Sequence, residues 1–157
     1  FRSPTCTKTD KEIALELASI AGVDAEEFGL AMFKAGTSLV GKTIEEIYNQ
    51  DYKAFNIGDA KVGIAQVNTM DIDGFAPLKA EMLEYMENLC VENGFDTAVL
   101  LLTDVINATS EVFVAGSHPE YVENAFNVQL VEHEANLPGV ISRKKQVVPA
   151  ITRAINA

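Results

Sequence analysis

Arg143, Lys144 and Lys145 stand side by side in the stretch GVISRKKQVVPAI, residues 139–151. Cations gathered at one point of a chain suit the binding of a compact anion. Three of the twelve Lys and Arg occupy that triplet, and no Asp or Glu follows Glu134. The last 23 residues therefore carry +4 and the first 134 carry −15. Pro149 is tolerated in the first turn of a helix but not deep inside one. A helix running to Asn156 is thus predicted to begin near Lys145 or Gln146, with Arg143 and Lys144 at its N-terminal mouth. Cations there oppose the helix macrodipole by about 0.3–1 kcal/mol per exposed charge. An anion at the mouth offsets that cost, taking hydrogen bonds from free backbone N–H groups and from Arg and Lys. The alternative reading is solvated surface charge near a chain end.

Other residue types that could do chemistry are sparse. His118, before Pro119, reads as a solvent-facing loop residue. His133 lies between Glu132 and Glu134, but neighbours on a strand point to opposite faces, so the three cannot converge on one ion. Asp71 and Asp73 share a face and could hold a cation weakly; they read as a solvated turn. Asp104 follows the apolar AVLLLT at a predicted strand end, where α/β proteins often place functional groups. Cys6 and Cys90 are far apart, and Cys90 falls in an apolar helical pattern, so it belongs to the core.

The elements that must position the triplet are α/β in character. Thr9 or Asp10 can cap a helix from about Lys11 to Ala21, with Ile13, Leu17 and Ile20 on one face and Gly22 as the stop. Asp24 caps DAEEFGLAMFKAG, and Thr43 with Glu46 has capping-box spacing ahead of TIEEIYNQ. YKAFNIGDAKVGIAQVNT predicts two strands around Gly58-Asp59, with Val62, Ile64 and Gln66 alternating against Gly63, Ala65 and Val67. A long helix follows, about Pro77 to Glu92. DTAVLLLTDVI predicts a buried central strand and SEVFVAG its neighbour. PEYVENAFN is a helix, VQLVEHE an edge strand, and GVIS a short strand entering the triplet. The sum is a single α/β domain with a mixed sheet flanked by helices.

Composition narrows the function classes. The chain has 157 residues, enough for one domain with a real core, and its 48% hydrophobic and 22% charged residues are those of a folded protein. A net charge of −11 argues against a nucleic-acid binder. No signal-peptide pattern or membrane-length apolar run is seen, which predicts a cytoplasmic protein without membrane association; NAT at 107–109 is then an accidental glycosylation match. Phe1 in place of Met, with the Ser, Pro and Thr of FRSPTCTKTD, predicts a processed precursor or, the favoured reading, a piece excised from a longer protein.

The motifs FRSPTCT, LASIAGVDAEEFGLAMFKAGTSL, IAQVNTMDI, AFNVQL and GVISRKKQVVPAI resemble the family II, manganese-dependent inorganic pyrophosphatases, in order and across essentially the whole chain. The similarity is to their C-terminal domain, called DHHA2. It implies residues 1–8 as an inter-domain linker remnant and 9–157 as the substrate-binding domain. The metal-holding N-terminal DHH domain is missing from the match. Carried onto this sequence, the resemblance implies that Arg143 and Lys144 contact diphosphate oxygens, joined by Lys53 from DYKAF. Ser142, Lys145 and Gln146 would support them. It further implies no catalytic or metal-ligating residue in this chain, manganese (or cobalt or magnesium) in the intact enzyme, and a homodimer. This half would close as a lid over pyrophosphate, with the DHH domain as partner, and would be inactive alone. Rival readings are a phosphate- or nucleotide-sensing module without hydrolysis, and an exopolyphosphatase-type domain. The leading one requires Lys53 to lie on the same side of the fold as Arg143.

Overall fold

A computed structural model describes residues 6–70 and 72–157; Asp71 lies outside them. The chain divides into two compact units, Phe1–Ser38 and Leu39–Ala157. The first holds α1 (Lys8–Ala21) and α2 (Ala25–Gly36). The capping residue of α1 is Thr7, not Thr9 or Asp10: its hydroxyl accepts from Asp10 N, and the Asp10 carboxylate takes the Thr7 N–H at 2.8 Å. Asp10 is thus the far half of a capping box, so the helix starts three residues earlier than its apolar period suggests. Gly22 ends it in the left-handed conformation (φ 67°), and Asp24 caps α2 as expected.

The second unit contains α3 (Ile44–Tyr48), β1 (Tyr52–Ile57), β2 (Ala60–Thr69), α4 (Lys79–Asn93), β3 (Thr97–Asp104), β4 (Thr109–Gly116), α5 (Glu120–Phe126), β5 (Glu134–Pro138) and α6 (Val148–Ile155). Short 3-10 turns precede β1 and α4. The strands lie in sequence order in one sheet, antiparallel except for β2 beside β3. That single parallel pair needs a crossover, which α4 supplies. The mixed α/β sheet flanked by helices is therefore present, and the central strand β3 is buried at every residue.

Side-chain alternation splits the core into two layers. Ala98, Leu100 and Leu102 of β3 pack with Tyr48, Met82, Met86 and Phe113 beneath α3 and α4, where Cys90 is also buried. Val99 and Leu101 pack with Ile64, Val112, Val122, Val147 and Ile151 beneath α5 and α6. Each fully buried Leu or Ile stabilises the fold by about 1.5–3 kcal/mol, so both faces of the sheet are anchored.

Three local expectations fail near the C-terminus. VQLVEHE is not a strand: Val131 makes one isolated bridge to Glu134, and Glu132 and His133 adopt positive φ (51° and 71°), turning the chain before β5 begins. GVIS is not a strand either. Gly139 turns the chain out of β5 at φ 76°, and the N–H groups of Ile141 and Ser142 are taken by the Gln146 side chain rather than by a neighbouring strand. The last helix starts at Arg143, not near Lys145. Residues Arg143–Val147 form a π-turn capped by Ser142, in which Val148 N–H reaches back to Arg143 O. An α-helical first turn would press the Pro149 ring on the carbonyl four residues earlier; the wider π spacing relieves that contact and leaves Pro149 at the start of α6.

Candidate functional site

The basic triplet sits where the π-turn meets Asp51, just before β1, and Ile64 and Gln66 of β2. Arg143 does not project from a helix mouth into solvent, as its position before Pro149 predicts. Its side chain runs back under the turn and is only 7% exposed. One terminal nitrogen donates to the Asp51 carbonyl and, at 3.4 Å, to the Ile64 carbonyl; the other donates to Asp51 Oδ1 at 2.6 Å. Burying a guanidinium without such partners would cost several kcal/mol, about what an unpaired internal charge costs. Three of the five N–H donors of an arginine are thus engaged, and two remain.

Lys53 stands directly opposite Ile64 in the β1–β2 register, and Ile64 is the residue whose carbonyl Arg143 contacts. Alternation along β1 puts Lys53 on the side of Phe55 and Ile57, which pack beneath α5 and α6 with Val147. Tyr52 points to the other layer. Lys53 and Arg143 therefore share one face of the sheet, beside the start of edge strand β1, though 90 residues apart in sequence. Lys144 and Lys145 are exposed on the first turn beside them, and Lys53 is exposed as well. Among the described residues none of these three lysines forms an ion pair.

The backbone under the triplet is braced by two glutamines. Gln146 Oε1 accepts from Ile141 N (2.9 Å) and Ser142 N (3.0 Å), while its Nε2 donates to Gly139 O (2.8 Å). The Ser142 hydroxyl accepts from Lys145 N at 3.2 Å. Gln66, from mid-β2, accepts from Arg143 N at 2.9 Å and donates to Ile141 O and Thr103 Oγ1, each at 3.0 Å. Asp51 and Gln66 escaped sequence reasoning. Asp51 sat in view two residues before Lys53, but nothing local marks its carboxylate as the partner of residue 143.

The remaining candidates take other places. Asp104 is buried at the end of β3, where its carboxylate accepts from Ile106 N, Asn107 N and Asn107 Nδ2. Burial works to raise its pKa, but those hydrogen bonds outweigh it and hold the carboxyl below the ordinary value. It shapes the β3–β4 turn. His118 pairs with Glu120 at 2.7 Å and stacks on Tyr121; the His133 ring meets the Val114 carbonyl at 3.2 Å. Asp73 begins a 3-10 turn. Among the described residues no three His, Cys, Asp or Glu side chains come together as a metal site. The described residues include no helix long and apolar enough to cross a membrane.

These features define a class: a three-layer α/β domain in which a basic π-turn is bonded to β2, one of the parallel strand pair. The chain belongs to the DHHA2 domain family, whose profile matches residues 30–154. It is 56% identical over 155 residues to the cobalt-dependent inorganic pyrophosphatase of Clostridium perfringens, covering 99% of this chain and 28% of that protein. It is 48% identical to the manganese-dependent inorganic pyrophosphatase of Bacillus subtilis, covering 99% of this chain and 50% of that protein. A crystal structure of a Methanococcus jannaschii protein, provisionally assigned to the family II inorganic pyrophosphatases, superposes with a TM-score of 0.81 at 44% identity, over all of this chain and 51% of that one. The chain thus spans between 28% and 51% of the length of these relatives.

Proposed function

We propose that this chain is the substrate-binding C-terminal domain of an inorganic pyrophosphatase that hydrolyses diphosphate to two phosphates. In this reading residues 1–8 are the linker remnant and 9–157 the substrate-binding domain. The observation that carries it is that Lys53 stands opposite Ile64 on the sheet face from which Arg143 reaches the Ile64 carbonyl, beside the exposed Lys144, within a DHHA2 domain. Diphosphate carries three to four negative charges near neutral pH, and phosphoryl transfer is accelerated mainly by positioning and electrostatic stabilisation. Arg143 offers its two remaining N–H donors to phosphate oxygens. Lys53 and Lys144 act as mobile point charges on the same anion. Ser142, Lys145 and Gln146 keep the turn in shape. Manganese, or cobalt or magnesium in its place, supplies an attacking water of lowered pKa when bound in the preceding DHH domain. Closure of this domain over that centre excludes bulk water from the bound diphosphate. The intact protein is proposed to be a cytoplasmic homodimer.

The test joins this chain to its DHH domain and follows phosphate release from pyrophosphate with Mn²⁺. Lys53→Ala and Lys144→Ala should each lower kcat/KM by about 10–1000-fold, the range expected when one charged group is removed from a phosphoryl-transfer site. Near-normal kinetics in both variants would remove these lysines from the site.

A further inference from the structure

The triplet rests on a row of polar side chains that crosses the three central strands. Gln66 on β2, Thr103 on β3 and Ser110 on β4 all face the α5–α6 layer, next to the packed Ile64, Val99, Leu101 and Val112. Their hydrogen bonds have a determined direction. Ser110 Oγ donates its single proton to Val140 O at 2.6 Å. The 2.8 Å contact between the Thr103 and Ser110 hydroxyls therefore runs from Thr103 to Ser110. Thr103, its proton spent, can only accept from Gln66 Nε2 at 3.0 Å. That pins the Gln66 amide: its NH₂ faces Thr103 and the Ile141 carbonyl, and its oxygen faces the Arg143 N–H.

The chain Gln66→Thr103→Ser110→Val140, with the two further bonds of Gln66, grips the backbone at residues 140, 141 and 143. Every amide donor of Gln66 is used. Burying such polar groups on an apolar face is costly unless all are satisfied. Here their bonds all converge on one segment, the segment that enters the basic π-turn. The row also lies towards the C-terminal ends of the parallel strands β2 and β3, where open α/β sheets place ligands.

We propose that Gln66 is a positioning residue for the diphosphate site, holding the 140–143 backbone so that the π-turn presents its cations pre-organised. This rests on the diphosphate reading above. When a binding-competent arrangement is only fractionally populated, apparent affinity falls by that fraction while saturating ligand restores it. Loss of Gln66 is therefore a KM effect. Gln66→Glu is isosteric and still accepts from Arg143 N. It turns a carboxylate oxygen onto the Ile141 carbonyl and reverses the Thr103 hydroxyl, breaking the row.

The experiment compares Gln66→Glu, Ser110→Ala and Lys144→Ala in the intact enzyme, by steady-state kinetics on pyrophosphate and by thermal melting. Gln66→Glu should raise KM at least ten-fold with kcat within three-fold. Ser110→Ala, which cuts only the far end of the row, should raise KM two- to five-fold. If Gln66→Glu does not fold, the Ser110→Ala result alone decides, and an unchanged KM overturns the proposal. A fall in kcat at constant KM, tracking a lowered melting temperature, makes Gln66 merely structural and also overturns it. Unchanged KM in Gln66→Glu with a ten-fold rise in Lys144→Ala rejects the positioning role and leaves the diphosphate site standing. Unchanged kinetics in both rejects the site and the positioning role together.

Discussion

Asp51 decides the terms on which Arg143 can meet an anion. Its carboxylate, 55% exposed, neutralises a guanidinium that is 9% exposed at the side chain, so a phosphate approaching from solvent meets a pair rather than a free cation. The two carbonyl contacts of Arg143 hold the group in place whether or not the carboxylate stays. Asp51→Asn keeps an acceptor but removes the competing charge. It should cost about 0.5–1.5 kcal/mol of stability, the scale of a half-exposed charged hydrogen bond, and should lower KM for pyrophosphate in the intact enzyme. The opposite signs make the measurement decisive: urea unfolding reports the first and kinetics the second, and a raised KM sinks the idea. Nothing in DYKAF or SRKKQ taken separately reveals this pairing, because it spans 92 residues and depends on how β1 lies under the π-turn.

The π-turn is the element on which the site depends, and it is held in place at each end. Upstream, Gly139 adopts φ 76° with open space around the position a Cβ would take, so a side chain there meets backbone strain and no clash. Gly139→Ala should therefore destabilise by about 1–2 kcal/mol, the cost of a left-handed L-residue, and lower the midpoint of urea unfolding; an unchanged midpoint would mean the turn can be redrawn freely. Downstream, Pro149 has no N–H to continue α-helical bonding begun at Arg143, and the residues before it are bonded i→i−5. Sequence reasoning used the same proline correctly as a limit on the helix start. It then missed the start by two residues, because a π-turn is an exception to the spacing on which that limit was based. The hairpin at Gly58, the central strand β3 and the capped helices α2 and α3 were legible because each is set by local pattern. VQLVEHE was misread because period-2 alternation says nothing of the left-handed turn at Glu132 and His133 that ends it.

Across the whole sequence, all 23 Asp and Glu precede residue 135, while four of the twelve Lys and Arg follow it. On the diphosphate reading proposed above, this chain supplies the cations and the DHH domain the metal centre, two halves of what metal-assisted phosphoryl transfer requires. The chain alone should accordingly release no phosphate from pyrophosphate above background in Mn²⁺ or Co²⁺, as checked by a colorimetric phosphate assay; turnover by this chain would overthrow the two-part reading. By itself the sequence determined the order and type of most elements, the excess of positive charge at the C-terminus and the family motifs, since capping, alternation and turn chemistry act over a few residues. Only the tertiary structure decided that Arg143 turns inward onto Asp51, that Lys53 shares its face, and that Gln66, Thr103 and Ser110 line up beneath them. Those relations join residues far apart in the chain, and strand register and the path of the π-turn, rather than local preference, set them.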